Sequence, residues 1–367
     1  LNWLVGFYYF EEGAENDNLV ILTPPVGSIL GGGLVDNDSF AAFAQATYSV
    51  TDQLELTGGI RYTDETKRYD PYLFVPPGAT YSTPGGILLM EGDRLVPEGE
   101  VEQTFDDVSF MANVAYDLSD NAMVYVNFSQ GFKSGGYDQR FNDIFPAVTN
   151  FLPESATAYE IGLKSSFLEN TFRLNASAFF TDYEDLQIIG REGFAPVTFN
   201  AGEAEIKGFE IEATLVPTDS WLLQAGIGGI DGKYTELGPE ILMTTPITLD
   251  SELAQTPELT ANLTIAYNKQ LSWGEITPRV DLVYRGDSFQ DAYNSTLISQ
   301  DAYTLLNASV GFSFADDRLE LVVSGRNLTD EVYIVAGTDS TVNSALGFSE
   351  GNFARPRTWS ISLTGHF

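Results

Sequence analysis

Thr358-Trp359-Ser360-Ile361-Ser362-Leu363-Thr364-Gly365-His366-Phe367 alternates in polarity from one residue to the next. Successive side chains of a strand point to opposite faces, so Trp359, Ile361, Leu363 and Phe367 share one face and Thr358, Ser360, Ser362, Thr364 and His366 the other. One face suits hydrocarbon and the other water. A run of about ten residues is what a tilted strand needs to cross an apolar layer, and aromatics stand near both ends, where headgroups lie.

The pattern recurs upstream. Val108, Phe110, Ala112, Val114 and Tyr116 oppose Ser109, Met111, Asn113, Ala115 and Asp117, and Val124, Val126 and Phe128 oppose Tyr125, Asn127 and Ser129. Only Leu118-Ser119-Asp120-Asn121 separates the two runs. Comparable links are Thr51-Asp52-Gln53, Leu168-Glu169-Asn170, Pro217-Thr218-Asp219-Ser220, Lys269-Gln270-Leu271-Ser272 and Ala315-Asp316-Asp317, all rich in turn formers. Long connections are expected around residues 12–37, 70–102, 132–153, 190–202, 236–254, 288–299 and 330–352. Tight turns alternating with long loops are the asymmetry of outer-membrane barrels, short on the periplasmic side and long outside. Counting the runs gives about fourteen strands, an even number as antiparallel closure requires. Phe367 then lies at the periplasmic rim, with Leu1 on the same side.

Composition narrows the class further. The chain is 43% hydrophobic with mean hydropathy −0.06, and no stretch approaches the roughly 18 uninterrupted apolar residues of a membrane helix. A closed sheet is the other spanning solution, and its alternating strands average to unremarkable hydropathy. The 25 Phe and 18 Tyr supply interfacial girdles. Runs such as Thr171 to Gln187 exceed the five or six residues usual in soluble sandwiches. With 18 Lys plus Arg against 52 Asp plus Glu, a net charge of −34 rules against nucleic acid as a partner. There is no cysteine, hence no disulfide or thiolate metal site. Leu1 to Phe10 already reads as a strand, without a charged n-region or apolar h-region, and the sequence reads best as a fragment that starts within a single domain spanning 1–367.

Several segments, taken in order, resemble the barrel of TonB-dependent outer-membrane receptors. They are Asn2-Trp3-Leu4-Val5-Gly6-Phe7-Tyr8-Tyr9-Phe10, Phe43-Ala44-Gln45-Ala46-Thr47-Tyr48, Gly58-Gly59-Ile60-Arg61-Tyr62-Thr63 and Val124 through Tyr137. Downstream follow Glu154 through Leu163, Thr181-Asp182-Tyr183-Glu184-Asp185-Leu186-Gln187, Gly325-Arg326-Asn327-Leu328-Thr329-Asp330 and the strand ending in Phe. The resemblance implies an all-β, antiparallel transmembrane β-barrel, these strands being the C-terminal part of a 22-stranded wall. It also implies a plug domain and TonB box that this stretch lacks, coupling to TonB through that N-terminal region, and a scarce ligand, most often a ferric siderophore. Partners would be outer-membrane lipid and the barrel-assembly machinery, which would read Trp359, Ile361, Leu363 and Phe367. No cofactor is implied.

Ligand contacts are expected on inward positions near the outer end: Lys133, Tyr137, Arg140, Arg191, Tyr293 and Arg355. Arginine would complement anionic chelates, and rings could stack on aromatic groups. Arg61 shares its face with Glu55, Thr57, Gly59 and Thr63 and is expected to meet the plug. Catalysis has little to work with, since His366 is the only histidine. Gly31-Gly32-Gly33 lacks the Lys-Ser or Lys-Thr of a phosphate loop, and Asp36-Asn37-Asp38 lacks a calcium-loop spacing. Rival readings are a self-contained passive pore of about fourteen strands, and an outer-membrane enzyme or adhesin.

Overall fold

The computed structural model describes residues 1–22, 27–83, 85–139, 144–145, 147–192, 195–314, 318–341 and 347–366. Its frame is a meander of fourteen strands. These are β1 Asn2–Leu22, β2 Gly27–Ser49, β3 Leu54–Phe74, β4 Val101–Ser119, β5 Ala122–Lys133, β6 Glu154–Phe167 and β7 Phe172–Glu184, followed by β8 Gly202–Leu215, β9 Trp221–Leu237, β10 Leu259–Tyr267, β11 Gly274–Arg285, β12 Tyr303–Phe314, β13 Leu319–Arg326 and β14 Thr358–Gly365. Each is antiparallel to the next. Among the described residues β1 pairs only with β2, and β14 only with β13, so the ladder has two edges.

Register shows why these residues make a wall with two unlike faces. Directly opposed residues share a face, and one row runs Leu54–Tyr116–Val124–Leu163–Ala176–Ile211–Ile227–Ala261–Tyr284 from β3 to β11. Shifted by one residue, the row on the other face reads Glu55–Ala115–Tyr125–Gly162–Ser177–Glu210–Gly228–Thr260–Arg285. The first is greasy and the second polar, as lipid outside and water or polypeptide inside demand. Aromatic pairs border the greasy face. Phe167–Phe172 and Trp221–Tyr267 stand at the lower end, with centroids 6.3 and 4.6 Å apart. Phe128–Tyr159 and Tyr159–Phe180 stand at the upper end, at 5.4 and 6.4 Å. Phe172 and Phe180 are about 27 Å apart along β7, the span of a tilted strand through the hydrocarbon layer.

The tight links fall where the strands turn, although Lys269–Leu271 itself pairs with Gly274–Ile276 before the chain reverses. Ala315-Asp316-Asp317 lies outside the described residues, as does Phe367. The expected loop at 12–37 is instead strand: β1 and β2 run for 21 and 23 residues and pair from Asn2↔Thr47 to Leu22↔Gly27. Gly31-Gly32-Gly33 lies inside this ladder, and Tyr69 and Leu73 fill the space their missing side chains leave. The 70–102 connection shrinks likewise, β3 ending at Phe74 and β4 starting at Val101. In the opposite sense, β7 stops at Glu184, where Asp185 takes a left-handed φ of 53° and the chain starts a separate hairpin.

Above the bilayer the connections fold into two small lobes. One buries Ile29, Leu73, Val75, Tyr81, Leu89, Leu95 and Val96 over β2 and β3. The other buries Ile188, Ala201, Ala204, Tyr234, Leu237, Ile241, Ile247, Leu253 and Ala292, using the short helix α1 Pro239–Thr244.

Candidate functional site

The second lobe roofs a pocket of about 610 Å³, within the range of small-ligand sites. Tyr183 at the top of β7, Tyr234 on β9 and Glu154, Ala204 and Ile206 form part of its wall; Leu186–Gly190, Leu253, Ala254, Thr256, Gln290–Tyr293 and Gly337–Asp339 line it as well. Each piece is pinned. The hairpin of Gln187–Glu192 with Ala195–Asn200 is tied to the barrel at its base. There the Gln187 side-chain amide donates to the carbonyls of Ser134 and Leu152 (3.1 and 2.9 Å), and its backbone N–H donates to Glu154 Oε2 (2.6 Å). Asn200 donates to the carbonyls of Leu152 and Asp185, both at 2.9 Å. Asn294 binds both backbone groups of Glu252, at 2.7 and 2.9 Å, and so fixes the 288–299 connection. Asp339 accepts from Ser295 Oγ at 2.6 Å and from the Thr341 backbone N–H at 2.8 Å, and Asp291 accepts from the Ser295 backbone N–H. Loops held this way present a preformed surface instead of a mobile fringe.

A second recess, of about 630 Å³, lies lower on the inner wall between β2 and β5. Arg61 on β3 and Lys133 at the end of β5 both line it. Arg61 donates from Nε to Thr63 Oγ1 (3.0 Å), and its guanidinium lies 5.7 Å from the Phe43 ring and 5.8 Å from that of Tyr8. Lys133 stands 4.0 Å from Glu154, at the limit of ion pairing.

The six expected ligand contacts do not gather in one place. Tyr293 lines the upper pocket, its hydroxyl over Gly190. Lys133 faces the lower recess. Tyr137 belongs to a short pairing with Asn150–Phe151 and stacks on Tyr69 at 6.4 Å, and its phenol is pushed above its ordinary value, first by burial and then by Glu102. Arg355 is exposed just before β14 and lines neither cavity. Arg140 lies outside the described residues; so does the Arg191 side chain, though its backbone belongs to the Gln187–Glu192 strand. Sequence reasoning gave no role to Gln187, the end of a strand-like segment, or to Asn200, which falls within the connection expected at 190–202.

A wall greasy outside and polar inside, turned tightly below and crowned by folded loops, defines the β-barrel class of the bacterial outer membrane. The family description "TonB dependent receptor-like, beta-barrel" matches residues 1–328, and the chain belongs to that family. It is 24% identical over 341 residues to the pesticin receptor of Yersinia enterocolitica, covering 90% of this chain and 44% of that protein. It is 26% identical over 367 residues to the catecholate siderophore receptor Fiu of Escherichia coli, covering 94% and 44%. Among solved structures, the ferric yersiniabactin uptake receptor FyuA from Yersinia pestis superposes with a TM-score of 0.77 at 20% identity, covering 98% of this chain and 50% of that one. The chain thus spans less than half the length of the curated relatives it matches.

Proposed function

We propose that residues 1–367 form one barrel domain, the C-terminal part of a 22-stranded wall, in a receptor that takes up a ferric siderophore with energy from TonB. The preformed pocket above a membrane-crossing wall carries this reading, since a passive pore has no use for loops bolted around a small-ligand cavity. The names of the relatives, which include a catecholate siderophore receptor, support iron chelates as the ligand class. In this reading Tyr293 and Gln187 meet the chelate in the vestibule, with Lys133, Tyr137, Arg140, Arg191 and Arg355 as further contacts. Arg61 faces the plug, coupling runs through an N-terminal region, and the greasy face meets outer-membrane lipid. Trp359, Ile361, Leu363 and Phe367 are read by the barrel-assembly machinery. We assign no catalytic role: His366 is tied by its backbone N–H to the Arg318 carbonyl at the lower end of the wall, away from the pocket-forming loops.

The test is uptake of radiolabelled iron by iron-starved cells with the parent gene present or deleted. Loss of TonB-dependent uptake on deletion, with induction of the gene by iron limitation, is the expected result. Induction by shortage of a sugar or of cobalamin, with iron uptake intact, would overturn the ligand class.

A further inference from the structure

The pocket roofed by the second lobe has a sign as well as a size. Its wall is mostly apolar, with the rings of Tyr183, Tyr234 and Tyr293 set among Ile188, Ile189 and Leu253. Three carboxylates break that wall: Glu154 from the top of β6, Asp291 from the 288–299 connection and Asp339 from the Gly337–Asp339 stretch. Among the described residues no lysine or arginine lines it. The Gln187 N–H donates to Glu154 (2.6 Å), the Ser295 N–H to Asp291 (3.0 Å) and the Ser295 hydroxyl to Asp339 (2.6 Å). Neutral donors of this kind favour the ionised carboxylate and leave its charge in place. Lys133 stands 4.0 Å from Glu154 but lines the lower recess, and the Arg191 side chain lies outside the described residues. Both cations, counted in full against the three carboxylates, still leave one negative charge over. Arg355, expected to complement an anionic chelate, lines neither cavity. The surroundings do not reverse the sign, since the chain as a whole carries −34.

We infer that the upper pocket takes an iron(III) chelate without net negative charge, of the trihydroxamate type, and that a pendant ammonium on the chelate strengthens its binding. The inference rests on the receptor reading and narrows its ligand class. Three hydroxamates neutralise iron(III), whereas three catecholates leave it a trianion. A trianion brought against a wall of like sign gives up its hydration and gains no counter-charge. A neutral chelate has far less hydration to lose, and its organic shell suits an apolar wall with exposed rings. Gln290 and Thr338 bring polar groups to the same lining for the hydroxamate oxygens. An ammonium adds attraction to the surplus carboxylate, and the acidic field of the whole molecule draws it toward the vestibule.

Equilibrium binding to the purified full-length receptor decides the matter with three probes. They are a linear iron(III) trihydroxamate with a pendant ammonium, the same chelate acetylated on that amine, and an iron(III) tris-catecholate. The cationic chelate should bind about tenfold more tightly than its neutral acetyl form at low salt, and the gap should narrow as salt is raised. The tris-catecholate should bind most weakly of the three. In the Glu154→Gln/Asp291→Asn double variant the amide oxygens can still accept from Gln187 and Ser295, while Asp339 is left to face Arg191 alone. The gap between the cationic and the acetylated chelate should then close, whatever happens to their absolute affinities.

A gap that survives the double variant would place the charge elsewhere and overturn the inference. If the variant binds neither hydroxamate, its pocket is damaged, and the salt dependence of the wild-type gap decides alone: a gap that ignores salt overturns the inference. Equal wild-type binding of the two hydroxamates, or a preference for the tris-catecholate, also overturns it and leaves the receptor reading standing. Binding of none of the three probes would overturn the receptor reading, and the inference with it.

Discussion

Tyr234 shows how a single side chain reports the lobe it sits in. It is 3% exposed within the second loop core, and burial pushes its phenol from 10.0 to about 12. The folded state therefore favours the neutral ring. That preference is fully present below pH 10, where the unfolded phenol is also neutral, and is lost as pH rises from about 10 to about 12, because only the unfolded chain can then ionise freely. The contribution is of the order of 2 kcal/mol. Unfolding curves across this range should steepen in their pH dependence above 10 for the wild type, and the Tyr234→Phe protein should lose that part of the slope. Equal slopes would show that the ring is wetter than its packing implies. None of this was legible in the sequence, where Tyr234 is one of 18 tyrosines. Its burial depends on Ile188 and Ala292, which lie far from it along the chain.

Elements were legible where lipid forces alternation. Val108 to Ser129 and Thr358 to Gly365 could be placed because one face must be apolar and the other need not be. Beyond the bilayer both faces are wet and that constraint lapses. Glu12 to Asn18 and Gly31 to Asn37 read as loop, although they pair residue for residue as β1 and β2. Their strand character comes from neighbours on both sides: Arg68, for example, ties Asp38 on β2 and Glu102 on β4 to its own strand. The vestibule hairpin of Gln187–Asn200 was illegible for a related reason, since its position rests on two amides reaching the carbonyl of Leu152 across the sequence. Removing one should free it. Gln187→Ala is expected to cost about 0.5–1.5 kcal/mol locally, the net scale of hydrogen bonds whose partners water can reach. It should speed amide exchange across residues 187–200 while leaving β6 and β7 protected. Unchanged exchange in the hairpin would mean that its packing on Ile188 and Ala201, and not the amide bolts, sets its position.

At the scale of the whole molecule the wall is lopsided. β1, β2 and β3 have 21, 23 and 21 residues, whereas β10, β13 and β14 have 9, 8 and 8. At about 3.3 Å per residue the first group is some 70 Å long and the second under about 30 Å. Since the apolar band needs only about ten tilted residues, the long side rises far above the membrane and the short side ends near its surface. The register fixes where the lipid must lie: the greasy row through Ile211 and Ile227 sits inside the band. Asp106, opposite Asp64 on the same outward face, sits above the upper aromatics, and Asp120 sits in the β4–β5 turn below. Because the chain has no cysteine, single replacements can be read without background. On intact cells a membrane-impermeant maleimide should label Asp106→Cys and spare both Ile211→Cys and Asp120→Cys. Permeabilising the outer membrane should expose Asp120→Cys alone, because a thiol held among acyl chains stays out of reach of a polar reagent. Labelling of Ile211→Cys on intact cells would move the lipid band off the greasy row. Labelling of Asp120→Cys there would invert the barrel and place the folded lobes in the periplasm, where a vestibule for capturing an external ligand would have no purpose.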